Sequence, residues 1–138
     1  MGELSLQAYH KQYGLKAASA TISTAYGPRE NESHALVALI AKAFIGQSPF
    51  EIWGNGEQTR GFTYVQDIVD GLILMAEHVD DASALNLGSS DFISLNQISN
   101  EIFKTLNWFP KDGIHHQLHK PVGVLHRALD GQKSLKKL

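Results

Sequence analysis

Glu51-Ile52-Trp53-Gly54-Asn55-Gly56-Glu57-Gln58-Thr59-Arg60-Gly61-Phe62-Thr63-Tyr64-Val65-Gln66-Asp67 decides how the rest of the chain is read. It predicts a short apolar strand, a tight turn at Gly54-Asn55-Gly56 where positive φ is cheap, a second short strand and a helix start. Thr63 and Gln66 have the spacing of a capping box, with Thr63 as N-cap, and Asp67 suits the positive end of the helix. Arg60 is the only Lys or Arg between Lys42 and Lys104. A guanidinium fixed on a short strand is a planar fork of donors, which matches a phosphate or a carboxylate.

Outward from this stretch, the 138 residues have the length of one domain, with 43% hydrophobic and 19% charged residues and a net charge of −2. That balance is globular and gives no reason to expect nucleic acid. No apolar run approaches the roughly 20 residues of a membrane helix, and without cysteine there is neither a disulfide framework nor thiolate chemistry. A cytoplasmic protein is the expectation.

On the N-terminal side, Glu3 to Tyr13 reads as a helix with Leu6, Tyr9 and Tyr13 on one face and Gly14 placed to end it. Nothing caps its start, as in the back half of a longer helix. Lys16 to Ala25 reads as one strand, oddly rich in Ala, Ser and Thr, and Tyr26-Gly27-Pro28 leaves it. After a polar loop, Asn31 or Ser33 is placed to cap a helix from His34 to Ile45 with Leu36, Leu39, Ile40, Ala43 and Phe44 on its period.

On the other side, Val65 to Glu77 is expected to be a core helix burying Ile68, Val69, Leu72, Ile73 and Ala76. Short strands follow at Ala84 to Gly88 and Asp91 to Ile93. Ser94 and Gln97 form a second capping box for a helix to Leu106, with Leu95, Ile98, Ile102 and Leu106 inward. From Ile114 the chain reads as extended, which would set His115 and His119 on one face. Neutral imidazoles ligate zinc, but no Cys or acidic residue flanks this pair, and no metal site is expected.

The opening stretch resembles the G-x-G-x-Q-x-R-D-F-x-Y-V-x-D signature of the extended short-chain dehydrogenase/reductase family, the NAD-dependent nucleotide-sugar epimerases and dehydratases. Gly54, Gly56, Gln58, Arg60, Phe62, Tyr64, Val65 and Asp67 match, and Gly61 stands in place of the usual acidic residue. The resemblance implies that Arg60 contacts the diphosphate of a UDP- or GDP-linked sugar. It extends to Gly2-Glu3, to Tyr26-Gly27-Pro28, to Asn86, Gly88 and Ser94, and loosely to Lys120-Pro121-Val122-Gly123 with Arg127 and Asp130. Substrate-side roles are implied for Tyr26, Pro28 and the loop residue Arg29, and a second phosphate contact for Lys120 or Arg127. Thr21 and Thr24 stand where the family carries Arg and Asn.

NAD or NADP is implied by the family, but neither a glycine-rich phosphate loop nor a Tyr-x-x-x-Lys pair occurs in the chain, so no cofactor-binding or catalytic residue is assigned. The family's lysine would fall just before Met1. The expectation is therefore an α/β chain: the C-terminal part of a Rossmann-like doubly wound sheet plus a small mixed α/β substrate-binding domain. Residues 1–28 would be the remnant of the NAD-binding domain and 29–138 the nucleotide-sugar domain, with or without a returning Rossmann element. Such a chain would bind a nucleotide sugar without turning it over alone, and could pair as a homodimer through the N-terminal helix. An inactive binding module and a degenerate fragment are the alternatives.

Overall fold

The computed structural model describes residues 2–127 and 129–138. They fall into two units whose segments alternate along the chain: one from 2–27, 61–91 and 129–138, the other from 28–60 and 92–127.

In the first unit, helix α1 (Gly2–Tyr13) ends where Gly14 takes φ 68°, as its glycine suggested. The next strand is not continuous. It divides into β1 (Ser19–Ile22), which pairs in parallel with β6 (Ala84–Leu87), and β2 (Thr24–Tyr26), which pairs in parallel with β5 (Phe62–Tyr64). Ser23 is the junction. Its N–H donates to the Leu87 carbonyl at 2.9 Å, and its hydroxyl donates to the Gly61 carbonyl at 2.7 Å.

Close approach explains the small residues here. A Cβ on Gly88 would lie 2.2 Å from the Ser23 Cβ, and one on Gly61 would lie 2.8 Å from the Ser89 carbonyl oxygen. Ala18, Ala20 and Ala25 pack against a core whose bulk comes from Ile68, Met75, Val79, Leu85 and Leu87. Small side chains on one element thus meet large ones on its neighbours.

Helix α3 (Val65–His78) departs from the expected buried stripe. Ile68 and Met75 are buried, whereas Val69, Leu72, Ile73 and Ala76 are exposed. The Thr63 capping box is also absent. Tyr64 is the N-cap, and no side chain caps the helix. Thr63 lies buried in β5, where its hydroxyl accepts the Ser89 N–H at 2.8 Å, and Gln66 donates instead to Asp70 at 2.9 Å. Helix α5 (Gln132–Lys137), not foreseen from the sequence, docks on β6: Ser134 donates to the Asn86 carbonyl and Lys133 to the Ala84 carbonyl.

In the second unit, β3 (Phe50–Trp53) pairs in parallel with β8 (Ile114–Gln117), while β4 (Thr59–Arg60) lies between β7 (Ile93–Ser94) and β9 (His126–Arg127). The turn at 54–56 therefore joins strands of different sheets. Helix α4 (Leu95–Leu106) has the Ser94 and Gln97 capping box in full. Its buried stripe is Leu95, Ser99, Ile102 and Phe103 in place of Ile98 and Leu106, and Phe103 meets Phe50 edge-on at 4.8 Å between ring centroids.

Helix α2 (Ala35–Phe44) buries Leu36, Leu39 and Ala43, but Ile40 and Phe44 are exposed. Its N-cap is His34, without a side-chain bond. Asn31 accepts from the Ser33 N–H, so neither residue caps the helix.

Candidate functional site

The second unit builds its site around the turn between β3 and β4. Gly54 and Gly56 take φ 71° and 76°. A Cβ on Gly54 would overlap Val122 Cγ1 at 2.2 Å, and one on Gly56 would overlap Asn96 Oδ1 at 2.0 Å, so both glycines are required by conformation and by space. Asn96 donates to the Asn55 carbonyl at 3.0 Å and to the Glu57 carboxylate at 2.6 Å, tying the turn to the start of α4. Gln58 donates from Nε2 to the Trp53 carbonyl at 2.8 Å and closes the turn from within.

Arg60 follows at once. Its Nη1 donates to the Thr59 carbonyl at 2.7 Å and the Leu125 carbonyl at 3.3 Å, and Nη2 to the Val122 carbonyl at 3.4 Å. No carboxylate pairs with it among the described residues. A guanidinium has five N–H donors, so main-chain acceptors fix its plane and leave two donors and the whole charge uncompensated.

Arg60 lines a cavity of about 910 Å³ together with Lys42, Glu51, Trp53, Gln58 and Lys120. Lys120 Nζ stands 5.4 Å from the centroid of the Trp53 ring, within cation–π range. Lys42 Nζ donates to the Glu51 main-chain carbonyl at 2.8 Å. Three cationic side chains against one carboxylate favour an anionic ligand, and charge-assisted bonds from Arg60 would orient it.

The expected site residues are thus divided. Arg60 and Lys120 share the cavity, and Arg127 pairs in register with Arg60 across β4 and β9 but is exposed. Pro28 and Arg29 form an exposed turn of the same unit, with Arg29 at φ 69°. Tyr26 belongs to the first unit, where it packs edge-on against Phe62 and Tyr64 and lines a separate cavity of about 790 Å³. His115 and His119 do not share a strand: β8 ends at Gln117 and His119 lies in the following turn. His116 instead bonds Asn96 Oδ1 through Nε2 at 2.9 Å, and no group of three or more metal-ligating side chains occurs among the described residues.

Trp53, Glu51, Gln58 and Lys42 were not marked as site residues from sequence. Strand alternation was the available signal, since Phe50 and Ile52 are fully buried on one face of β3 and Glu51 and Trp53 take the other.

Parallel strand pairs joined through helices define a Rossmann-like α/β protein. Residues 1–88 match the model of the NAD dependent epimerase/dehydratase family, and the chain belongs to that family. It is 33% identical over 135 residues to GDP-L-fucose synthase of Sinorhizobium fredii, an alignment covering 92% of this chain and 42% of that protein. Among solved structures, UDP-N-acetylglucosamine 4-epimerase from Methanobrevibacter ruminantium, in complex with UDP-N-acetylmuramic acid, superposes with a TM-score of 0.81 at 27% identity, over 98% of this chain and 43% of its own. UDP-glucuronic acid 4-epimerase from Bacillus cereus, in complex with UDP-glucuronic acid and NAD, has the same fold, with a TM-score of 0.81 at 24% identity, over 99% of this chain and 43% of its own. The chain spans less than half the length of each of these three proteins.

NAD is bound in relatives of this fold. Among the described residues, the two places where a strand runs directly into a helix are Tyr64-Val65 and Ser94-Leu95. Neither has the glycines that let a pyrophosphate approach a helix N-terminus, and the second is filled by its own capping box. The residues at these junctions do not fit the pyrophosphate of a dinucleotide.

Proposed function

We propose that this chain is the C-terminal, substrate-binding portion of an NAD-dependent nucleotide-sugar epimerase or dehydratase. The observation that carries the proposal is the Arg60 guanidinium, fixed by three main-chain carbonyls, unpaired with any carboxylate among the described residues, and placed in one cavity with Lys120. The two phosphates of a nucleotide sugar would accept from the free Arg60 donors, with Lys120 adding a point charge. Arg127 stands beside Arg60 on β9 as a further phosphate contact.

The second unit is the nucleotide-sugar unit in this proposal. The first is what remains of the Rossmann-like domain, with 61–91 and 129–138 returning to it. The chain holds the nucleotide sugar without itself carrying the residues that react with it. It works in the cytoplasm, and α1, which buries no residue and exposes Leu4, Tyr9 and Tyr13, is the surface for a homodimer.

Calorimetry with GDP-mannose and UDP-glucose tests the binding. Arg60→Ala should cost about 1.5–3 kcal/mol of affinity, and Arg60→Lys should recover only part of it because an ammonium lacks the fork. Equal affinities of wild type and Arg60→Ala would contradict the proposal.

A further inference from the structure

We infer that Asn55 is a site of spontaneous covalent modification, losing its side-chain amide through a cyclic imide formed with the Gly56 nitrogen.

Asn55-Gly56 is the only Asn-Gly pair in the chain; the other asparagines precede Glu32, Leu87, Gln97, Glu101 and Trp108. The following residue matters because its main-chain nitrogen is the attacking atom, and glycine puts no Cβ beside it. Asn55 is exposed in the turn between β3 and β4.

The fold prepares both reacting groups. The Glu57 N–H donates to Asn55 Oδ1 at 3.1 Å, which folds the side chain back along its own main chain and places a donor on the oxygen where negative charge develops during attack. Asn96 Nδ2 donates to the Asn55 carbonyl at 3.0 Å and draws electron density from the Asn55-Gly56 peptide, which makes its N–H a stronger acid. Gly56 is buried, yet that N–H has no hydrogen-bond partner among the described residues. A buried donor without an acceptor is costly, and ring closure abolishes it.

The Gly56 nitrogen gives its proton to solvent base and attacks Asn55 Cγ. The new N–Cγ bond forms, the Cγ–Nδ2 bond breaks, and the amide nitrogen takes a proton from water and leaves as ammonia. Water then opens the imide at Cγ, giving aspartate, or at the main-chain carbonyl, giving isoaspartate. The balance is water consumed and ammonia released, with nothing oxidised or reduced.

These products differ in what they do to the turn. Aspartate keeps the main chain, and its carboxylate still accepts the Glu57 N–H. Isoaspartate routes the main chain through an extra methylene, in a turn where a Cβ on Gly54 would lie 2.2 Å from Val122 Cγ1 and one on Gly56 2.0 Å from Asn96 Oδ1. Since the Val122 carbonyl accepts from Arg60, this product loosens the guanidinium.

The test is peptide mapping by mass spectrometry of the complete chain, aged folded and in urea. The peptide holding Asn55 should gain the amide-to-acid mass difference in two separable forms before any other asparagine converts, at a rate in the folded chain at or above that in urea. Because the nitrogen must lose its proton, the rate should rise by about tenfold per pH unit through neutrality. Asn55→Ser, with its fold checked by circular dichroism, should lose the ammonia release. Conversion of Asn55 that is absent from the folded chain or slower there than in urea, earlier conversion at another asparagine, a rate indifferent to pH, or ammonia release unchanged in Asn55→Ser overturns the inference.

Discussion

Val122 holds Arg60 and Gly54 to one geometry: its carbonyl accepts the Arg60 guanidinium at 3.4 Å, and its Cγ1 lies 2.2 Å from where a Gly54 Cβ would be. Gly54→Ala would displace Val122 as well as strain a residue at φ 71°. The expected loss is roughly 2–5 kcal/mol, combining the left-handed penalty with overpacking. Gly113→Ala is the control, with φ 72° but nothing within 4 Å of its added Cβ, so only about 1–2 kcal/mol is expected. Urea denaturation of both variants checks this, and equal losses would contradict the role given to Val122.

Thr63 and Gln66 have roles that separate under mutation. Thr63→Val strands the Ser89 N–H, which Thr63 Oγ1 accepts at 2.8 Å, and should cost roughly 1–3 kcal/mol. Gln66 only bonds Asp70 on the exposed side of α3, so Gln66→Ala should stay within about 0.5 kcal/mol. Comparable losses in both would restore the capping box that the spacing suggested.

Within the first unit, Asp81 ties α5 to the loop between α3 and β6 through a hydrogen bond and ion pair with Lys137. Lys137 and then the Ser83 side chain hold the Asp81 carboxyl well below its ordinary range. A carboxyl depressed in the folded state stabilises above its unfolded pKa of about 3.9, and the contribution is lost as pH falls through the folded value. The α5 amides should therefore lose exchange protection only below about pH 4, and Asp81→Asn should remove that dependence. A loss of protection near pH 6 would contradict it.

Helix α1 buries none of its residues, whereas α4 buries Leu95, Ser99, Ile102 and Phe103. Its amides should exchange far faster than those of α4 in the monomer, because opening α1 exposes little apolar surface. Comparable protection in both helices would show that α1 is covered in solution.

The sequence made some of this legible for identifiable reasons. Gly14, the two turn glycines and the Ser94–Gln97 box are local signals, and each governs its own backbone as expected. The Thr63–Gln66 box failed because tertiary pairing in β5 took the hydroxyl. Helical period marked Val69, Leu72 and Ile73 as apolar but could not say whether anything packs on them. The division at Ser23 depends on which strands lie beside it, and no local pattern carries that information. At the site, Arg60 stood out as an isolated charge, whereas Gln58 became notable only once its carbonyl was found buried without a partner.

The most direct test of nucleotide-sugar binding at Arg60 is an NMR titration of the isotope-labelled chain with GDP-mannose, alongside UDP-glucose. Saturable shifts are predicted at the Trp53 indole N–H, the Arg60 Nε–H and the Lys120 amide, the residues gathered around the cavity, and they should vanish in Arg60→Ala. No saturable shift with either sugar, or the same pattern in Arg60→Ala, would contradict it.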